Sequence, residues 1–403
     1  MLRILVPDTA SSVQIQDIAQ DFQKKNKVNV SVTALDYEML RMTLNQMSRD
    51  EEPEYDILLI NDPLLPGLAA KGVLAAVQLD DGKGLLSQCL LALDTVLSRL
   101  KLKQRKDRPK VADFEPRLIE LCKYGDRYYA VPYTGNYALL AYNPRLLNEE
   151  ASFVPQSWDD ILRARPGTKG RYRFVMRLDR VNPIVADTFA VLASDMAGTG
   201  SSKANYSQSI KTLRGLLQDH TPPDPMRLKS FDVYDYLSRG EAAAGVIWSA
   251  WIPTLHEANP DLQFTALPGG HSVIGGWLLA CTNQCESYAR EFIEFAAFNG
   301  DPPANKVGLR DWMETHAAYV HLSPEVIEKA TARPRKKNWT CLEDGLSRVF
   351  APTLLASTQV EERTAEMALA MERIFKPDLE QPCPGVSPFP HVIAEPALTP
   401  AVR

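Results

Sequence analysis

No apolar run in the 403 residues approaches the roughly 18 that a membrane-spanning helix requires. The chain also lacks a glycine-rich phosphate loop, an HExxH pair and a GxSxG elbow, which removes the common signatures of P-loop, zinc-protease and α/β-hydrolase chemistry. Six histidines (His220, His256, His271, His316, His321, His391) show no metal-ligand spacing beyond the loose His316/His321 pair. Six cysteines, at 89, 122, 281, 285, 341 and 383, are scattered. Only Cys281 and Cys285 are close, and a CxxxC pair without a second pair or a nearby histidine is a poor metal signature. Inert thiols are the expectation, with a Cys281–Cys285 disulfide as the alternative. No metal and no cofactor is expected. A formal net charge of −5 is mild and argues against a surface that is basic throughout, as a nucleic-acid binder's would be. There is no helix-turn-helix segment and no internal repeat.

What is present is a soluble-protein composition and enough chain for two domains, each with its own core. Leu2 to Val6 reads as a buried strand, and Val13, Ile15, Ile18, Ala19 and Phe22 recur at helical spacing to about Lys25. Val28, Val30 and Val32 alternate as a strand. A helix over Tyr37 to Arg49 and an apolar strand over Asp56 to Ile60 follow, the latter closed by Asn61-Asp62-Pro63. Strand and helix in alternation predict a largely parallel sheet. Gly84 to Leu102 carries a leucine stripe that predicts a core-facing helix, and the basic run from Lys101 to Lys110 reads as a solvated loop.

The stretch around which the chain is arranged is Lys123 to Leu147, KYGDRYYAVPYTGNYALLAYNPRLL. Gly125-Asp126 predicts a turn, and Tyr128, Tyr129 and Val131 favour an extended strand. Pro132 cannot donate to a central ladder, so regular pairing stops or changes there. A second extended run, Ala138 to Tyr142, ends at Asn143-Pro144, with a short helix from about Leu146. Two strands parted by a break holding Pro132 and Gly135 predict a crossing between two lobes, with room for a ligand at the break.

Asp126 to Pro132, Tyr133 to Tyr137 and Leu140 to Leu147 together resemble the crossover of the family 1 extracellular solute-binding proteins, the sugar receptors of bacterial ABC importers. Further stretches resemble the same family in the same order. They are Asp56 to Ile60 with Leu68-Ala69 and Gly72 to Leu74, then Ser157 to Leu162, and then Asp232 to Leu237 with Gly240 to Trp248. Gly275 to Ala280, Ala289 to Phe295 and Arg333 to Trp339 complete the series. Ser157 is expected to cap a helix with Asp160 at its third position, and Trp158 to pack.

The resemblance covers about residues 1 to 375. It implies an α/β, two-lobed periplasmic-binding-protein fold of the second type, with a ligand cleft between the lobes. One lobe is expected from 1–132 and 268–309, returning at Pro268-Gly269-Gly270, and the other from 133–267 and 310–376, with the last crossing at Leu309-Arg310. Seven prolines in residues 377–403 predict an extended or disordered tail. The implied function is capture of a small solute, a carbohydrate, by a monomer that closes on it and delivers it to the membrane subunits of an importer, without catalysis and without nucleic acid. Carried over position by position, the ligand-binding set is Asp8, Thr9, Asn61, Asp62, Tyr133, Asn136, Trp248, Trp251, Gly276, Trp277, Arg310 and Trp339. At least one of Trp248 and Trp251 is expected as a stacking platform for a sugar face, the alternative for either being the core, with Trp339 as a further platform. Arg310 is the group that could instead meet an anion, moving the solute towards a phosphate ester or carboxylate.

Two alternatives share the fold. A thiaminase-like enzyme would need a cleft cysteine, and Cys122 lies ten residues before Pro132 on the wrong side of the strand. A cytoplasmic ligand-sensing domain is favoured by the first residues, which enter a strand pattern without the apolar region of about 7–15 residues of a signal peptide. The family implies a periplasmic or extracellular location, reached if a leader has been removed.

Overall fold

A computed structural model describes residues 1–48, 52–79, 109–148, 152–164, 171–179, 182–198, 206–218, 221–284, 287–300, 302–355 and 357–375. The expected leucine-striped helix, nearly all of the basic run, Cys285 and the proline-rich tail lie outside these residues.

The described strands fall into two principal sheets, one per lobe, and a two-stranded hairpin. In chain order they are β1 (Leu2–Pro7), β2 (Val30–Leu35), β3 (Ile57–Asn61), β4 (Lys123–Tyr124), β5 (Arg127–Tyr128), β6 (Val131–Pro132) and β7 (Asn136–Tyr142). There follow β8 (Tyr172–Val175), β9 (Ala242–Trp248), β10 (Gln263–Ala266), β11 (Val273–Gly275), β12 (Trp277–Cys281), β13 (Val320–His321) and β14 (Thr331–Ala332). The first sheet runs β2-β1-β3-β12-β6. As the strand–helix alternation predicts, β1 lies parallel to both β2 and β3. Its apolar run is buried from Ile4 to Val6 beneath the helix Ala10–Asn26. Pro132 ends the edge strand β6, where a missing amide proton leaves no gap in a ladder.

The second sheet is built on β7. One of its edges pairs antiparallel with β9, and the other is shared end to end by β10 and β11. Hence Ala138 to Tyr142 is apolar and buried throughout, as a strand flanked on both edges and covered on both faces must be. Helices Asn182–Gly198, Tyr206–Leu217, Trp339–Leu355 and Val360–Phe375 pack together beside it. Trp158 is buried edge-on to Phe174, and the Ser157 amide donates to Asp160 at 2.8 Å, so the expected cap and packing residue are both in place.

The crossings correct two expectations. Pro268-Gly269-Gly270 does not return the chain to the first lobe. It belongs to a six-residue excursion, 267–272, after which β11 resumes pairing along the same edge of β7. The return comes at Gly276, between β11 in one sheet and β12 in the other. Leu309 and Arg310 do not mark the last crossing either, since both sit inside the helix Lys306–His316. That crossing lies near 300–303, where the Gly135 amide donates to Pro302 O at 2.9 Å. A Cβ on Gly300 would fall 1.9 Å from Tyr133 O, so only glycine allows these two crossings to touch.

Candidate functional site

Parallel strands β1 and β3 present their carboxyl ends on the same side of the first sheet, and Asn61 and Asp62 close β3 there. Asn61 is buried and donates through Nδ2 to the Tyr37 hydroxyl at 2.8 Å, while its Oδ1 makes no hydrogen bond. Burial pushes the Tyr37 phenol well above its ordinary range, with Glu343 next in effect. Asp62 is fully buried. Its Oδ1 pairs with Arg333 and accepts weakly from the Gly276 amide at 3.4 Å, and its Oδ2 is unpaired. Arg333, just past β14, therefore joins the second lobe to the first. Its Nε is also without a partner.

Behind this pair stands Trp248, at the end of β9. The Arg333 and Arg177 guanidinium carbons lie 5.7 Å and 5.9 Å from its ring centre, within cation–π range. Its Nε1 donates to Asp187 Oδ1 at 3.0 Å, and the fully buried Asp187 is gripped by Arg177, whose Nε reaches Oδ2 at 2.9 Å. Each guanidinium beside the indole thus has a carboxylate of its own. Asp179, next to this group, is pushed up to about 6, by burial first; Arg177 pulls it down and Asp187 raises it further.

Of the twelve expected residues, seven form one bonded neighbourhood: Asn61, Asp62, Tyr133, Asn136, Trp248, Gly276 and Trp277. Tyr133 donates its amide to Trp277 O at 2.9 Å, Trp277 pairs with Asn61 in the β3–β12 register, and Asn136 pairs with Gly275. The Asn136 side chain accepts from Ser249 Oγ and Ala250 N, each at 3.2 Å, and so holds the turn after β9. Asp8 and Thr9 are exposed at the start of the first helix, at the same sheet end. Arg310 is not brought in: its side chain is 68% exposed and its ion-pair partner is its neighbour Asp311.

The expected aromatic walls are covered. Trp248 is buried among its two guanidiniums, and Trp251 is edged by Phe231 and tilted against Tyr234. Trp339 is buried in a small hollow with Val185, Phe189, Leu346 and Phe350, its Nε1 on Glu343 Oε1 at 3.2 Å. The lobes meet at these residues; Trp248 and Trp339 are buried, while Trp251 stays partly exposed. Arg333, Asp187, Arg177 and Tyr37 were not singled out from sequence. The one available signal was Arg333, at the head of a stretch resembling a cleft-bordering loop.

Cys122 is fully buried with its thiol 3.7 Å from Leu118 O, and burial pushes it well above its ordinary range. That keeps it protonated and unfit as a nucleophile. Among the described residues no helix is long and apolar enough to cross a membrane, and no group of three or more metal-binding side chains occurs.

A family model for bacterial extracellular solute-binding proteins matches residues 17–312, more than half of the chain. A search of curated proteins by sequence gives no match. Among solved structures, maltose-bound MalE3 of T. maritima is similar with a TM-score of 0.68 at 17% identity, over 92% of this chain and 99% of that one. The ABC-transporter solute-binding protein of Thermotoga lettingae TMO with α-D-tagatose gives 0.70 at 18%, over 93% and 99%. That of Agrobacterium radiobacter K84 with ribitol gives 0.71 at 15%, over 93% and 98%. At these identities the likeness establishes the two-lobed fold.

Proposed function

We propose that this chain, which belongs to the bacterial extracellular solute-binding protein family, captures an uncharged polyhydroxylated solute, a sugar or polyol, in the seam between its lobes and passes it to an ABC importer. One observation carries the choice of solute. Asn61 Oδ1, Asp62 Oδ2 and Arg333 Nε are buried at the seam with no hydrogen bond, two acceptors and one donor beside a ring. Unpaired buried polar groups are costly, and hydroxyls, which donate and accept, match that set. The Arg177 and Arg333 guanidiniums beside the indole already have carboxylates, so neither is left over to draw an anionic guest. The solutes of the similar receptors, maltose, tagatose and ribitol, are of this class.

Catalysis is not part of the reading: Cys122 is closed off, and the family is one of binders. The family likewise supports a place outside the cytoplasmic membrane.

Titration calorimetry of the full chain with maltose, maltotetraose, D-tagatose, D-mannitol and ribitol tests it, with glucose 6-phosphate as the charged control. At least one neutral probe is expected to bind, without being consumed. Asn61→Ala should weaken that probe by about 1–3 kcal/mol, the cost of a lost buried hydrogen bond. Binding of glucose 6-phosphate alone would reject the neutral guest.

A further inference from the structure

The chain between β14 and the middle of the helix Trp339–Leu355 belongs to the second lobe by its anchors. β14 pairs with β11 in the second sheet. Trp339 is sunk among Val185, Phe189, Leu346 and Phe350, and the helix packs on Asn182–Gly198 and Val360–Phe375. Yet residues 333–344 are bonded to the first lobe at successive points. Arg333 pairs with Asp62. Arg335 donates to Glu120 O at 2.9 Å and also to Lys123 O, both in the segment leading to β5. Lys337 O lies against Gly67, so close that a Cβ there would be 2.5 Å from it. Arg41, on the helix Tyr37–Gln46 and itself buried, donates to Thr340 O at 3.2 Å and pairs with Asp344 at 2.8 Å.

We propose that residues 333–344 are a strap that latches the second lobe onto the first, so that Arg41 and Gly67 position the seam and set its affinity without touching solute. Each of these contacts is between protein groups and asks nothing of a guest. Parting the lobes breaks them together, because the strap's far end is fixed by Trp339. Opening the seam therefore costs the strap's contacts, two of which are ion pairs: Arg333–Asp62, withdrawn from water, where such pairs resist separation, and Arg41–Asp344, whose carboxylate remains exposed. The free protein is then held predominantly closed, and solute entry waits on release of the strap. The tuning is thermodynamic: a solute that fits the closed form binds more weakly to a protein that spends less time closed.

Gly67 provides a selective probe. It lies in the short helix Leu65–Ala70 and outside the positive-φ region, so alanine suits its own backbone. The added methyl would strike only the strap. Small-angle scattering of the full chain in buffer without solute is the experiment, with circular dichroism to verify folding. Wild type is expected to scatter as the closed form and Gly67→Ala with a larger radius of gyration at unchanged helix content. Asp344→Ala, which removes one ion pair and adds nothing, should move in the same direction by less. A wild type that already scatters as an open form, or variants folded and indistinguishable from it, would overturn the strap. If Gly67→Ala fails to fold, Asp344→Ala alone decides by the same criterion. Because the probe is the solute-free protein, the outcome is independent of what the seam binds.

Discussion

Asp179 is a side chain held against its own preference. Its Oδ1 is buried and unbonded, and burial, with Asp187 nearby, pushes its carboxyl up to about 6 even though Arg177 opposes the shift. A carboxyl whose folded value exceeds its unfolded one, about 4, binds its proton more tightly when folded. The stability that Asp179 contributes is therefore fullest below pH ~4 and is lost as pH rises from there through 6. Asp179→Asn should melt higher than wild type at pH 7 to 8, with the gap closing as the pH is brought down to about 4. Thermal denaturation across that range is the measurement, and a gap that did not change with pH would place the effect elsewhere. The same scale shows which site residues the sequence could reveal. Asn61 and Asp62 stood out because polar residues directly after a buried apolar strand have few other reasons to be there. Arg333 did not, because its partner is 271 positions away and nothing local in the stretch it heads points to Asp62. The tryptophans were visible as rings, but what covers a ring is set by distant chain: Arg177 and Arg333 over Trp248, Phe231 against Trp251.

Among the elements, β7 was the most legible and carries the most. An apolar run cut off by Asn143-Pro144 is sufficient to place it, and the structure adds that β9, β10 and β11 all pair with it. Leu140, fully buried and opposite both Val246 and Thr265, tests that centrality. Leu140→Ala should cost about 2–5 kcal/mol in denaturant unfolding, the range for a truncated core leucine that leaves a cavity. A cost under 1 kcal/mol would mean that the second sheet is not organised on this strand. The misread element is instructive for the opposite reason. Pro268-Gly269-Gly270 has the turn chemistry that a crossing between lobes would use, and an excursion within one strand edge uses the same residues. Only register separates the two cases. β10 pairs down β7 from Tyr142 to Leu139, and β11 resumes at Ala138 without a missed position. No local pattern encodes that continuity.

At the scale of the whole molecule, three crossings among the described residues join the two principal sheets, and they lie against one another. Gly135 and Gly276 line the crossings, and Gly300 is the tightest point. A Cβ there would meet Tyr133 O at 1.9 Å and Tyr133 C at 2.7 Å, both backbone, so no side-chain rotation can relieve it. At Gly135 the equivalent atom would meet Leu118 Cδ1 and Pro303 O, each at 3.0 Å, a clash that small shifts absorb. The two positions thus separate the crossing's packing from a general intolerance of side chains. Gly300→Ala should force the first and third crossings apart and change the angle between the lobes, with Gly135→Ala altering it far less. Distances between spin labels placed on the helices Ala10–Asn26 and Tyr206–Leu217, one on each lobe, report that angle directly. A Gly300→Ala distribution matching wild type would show that the crossings move independently. In that case the strap at 333–344 would be the main link between lobe angle and the seam at Asp62 and Arg333.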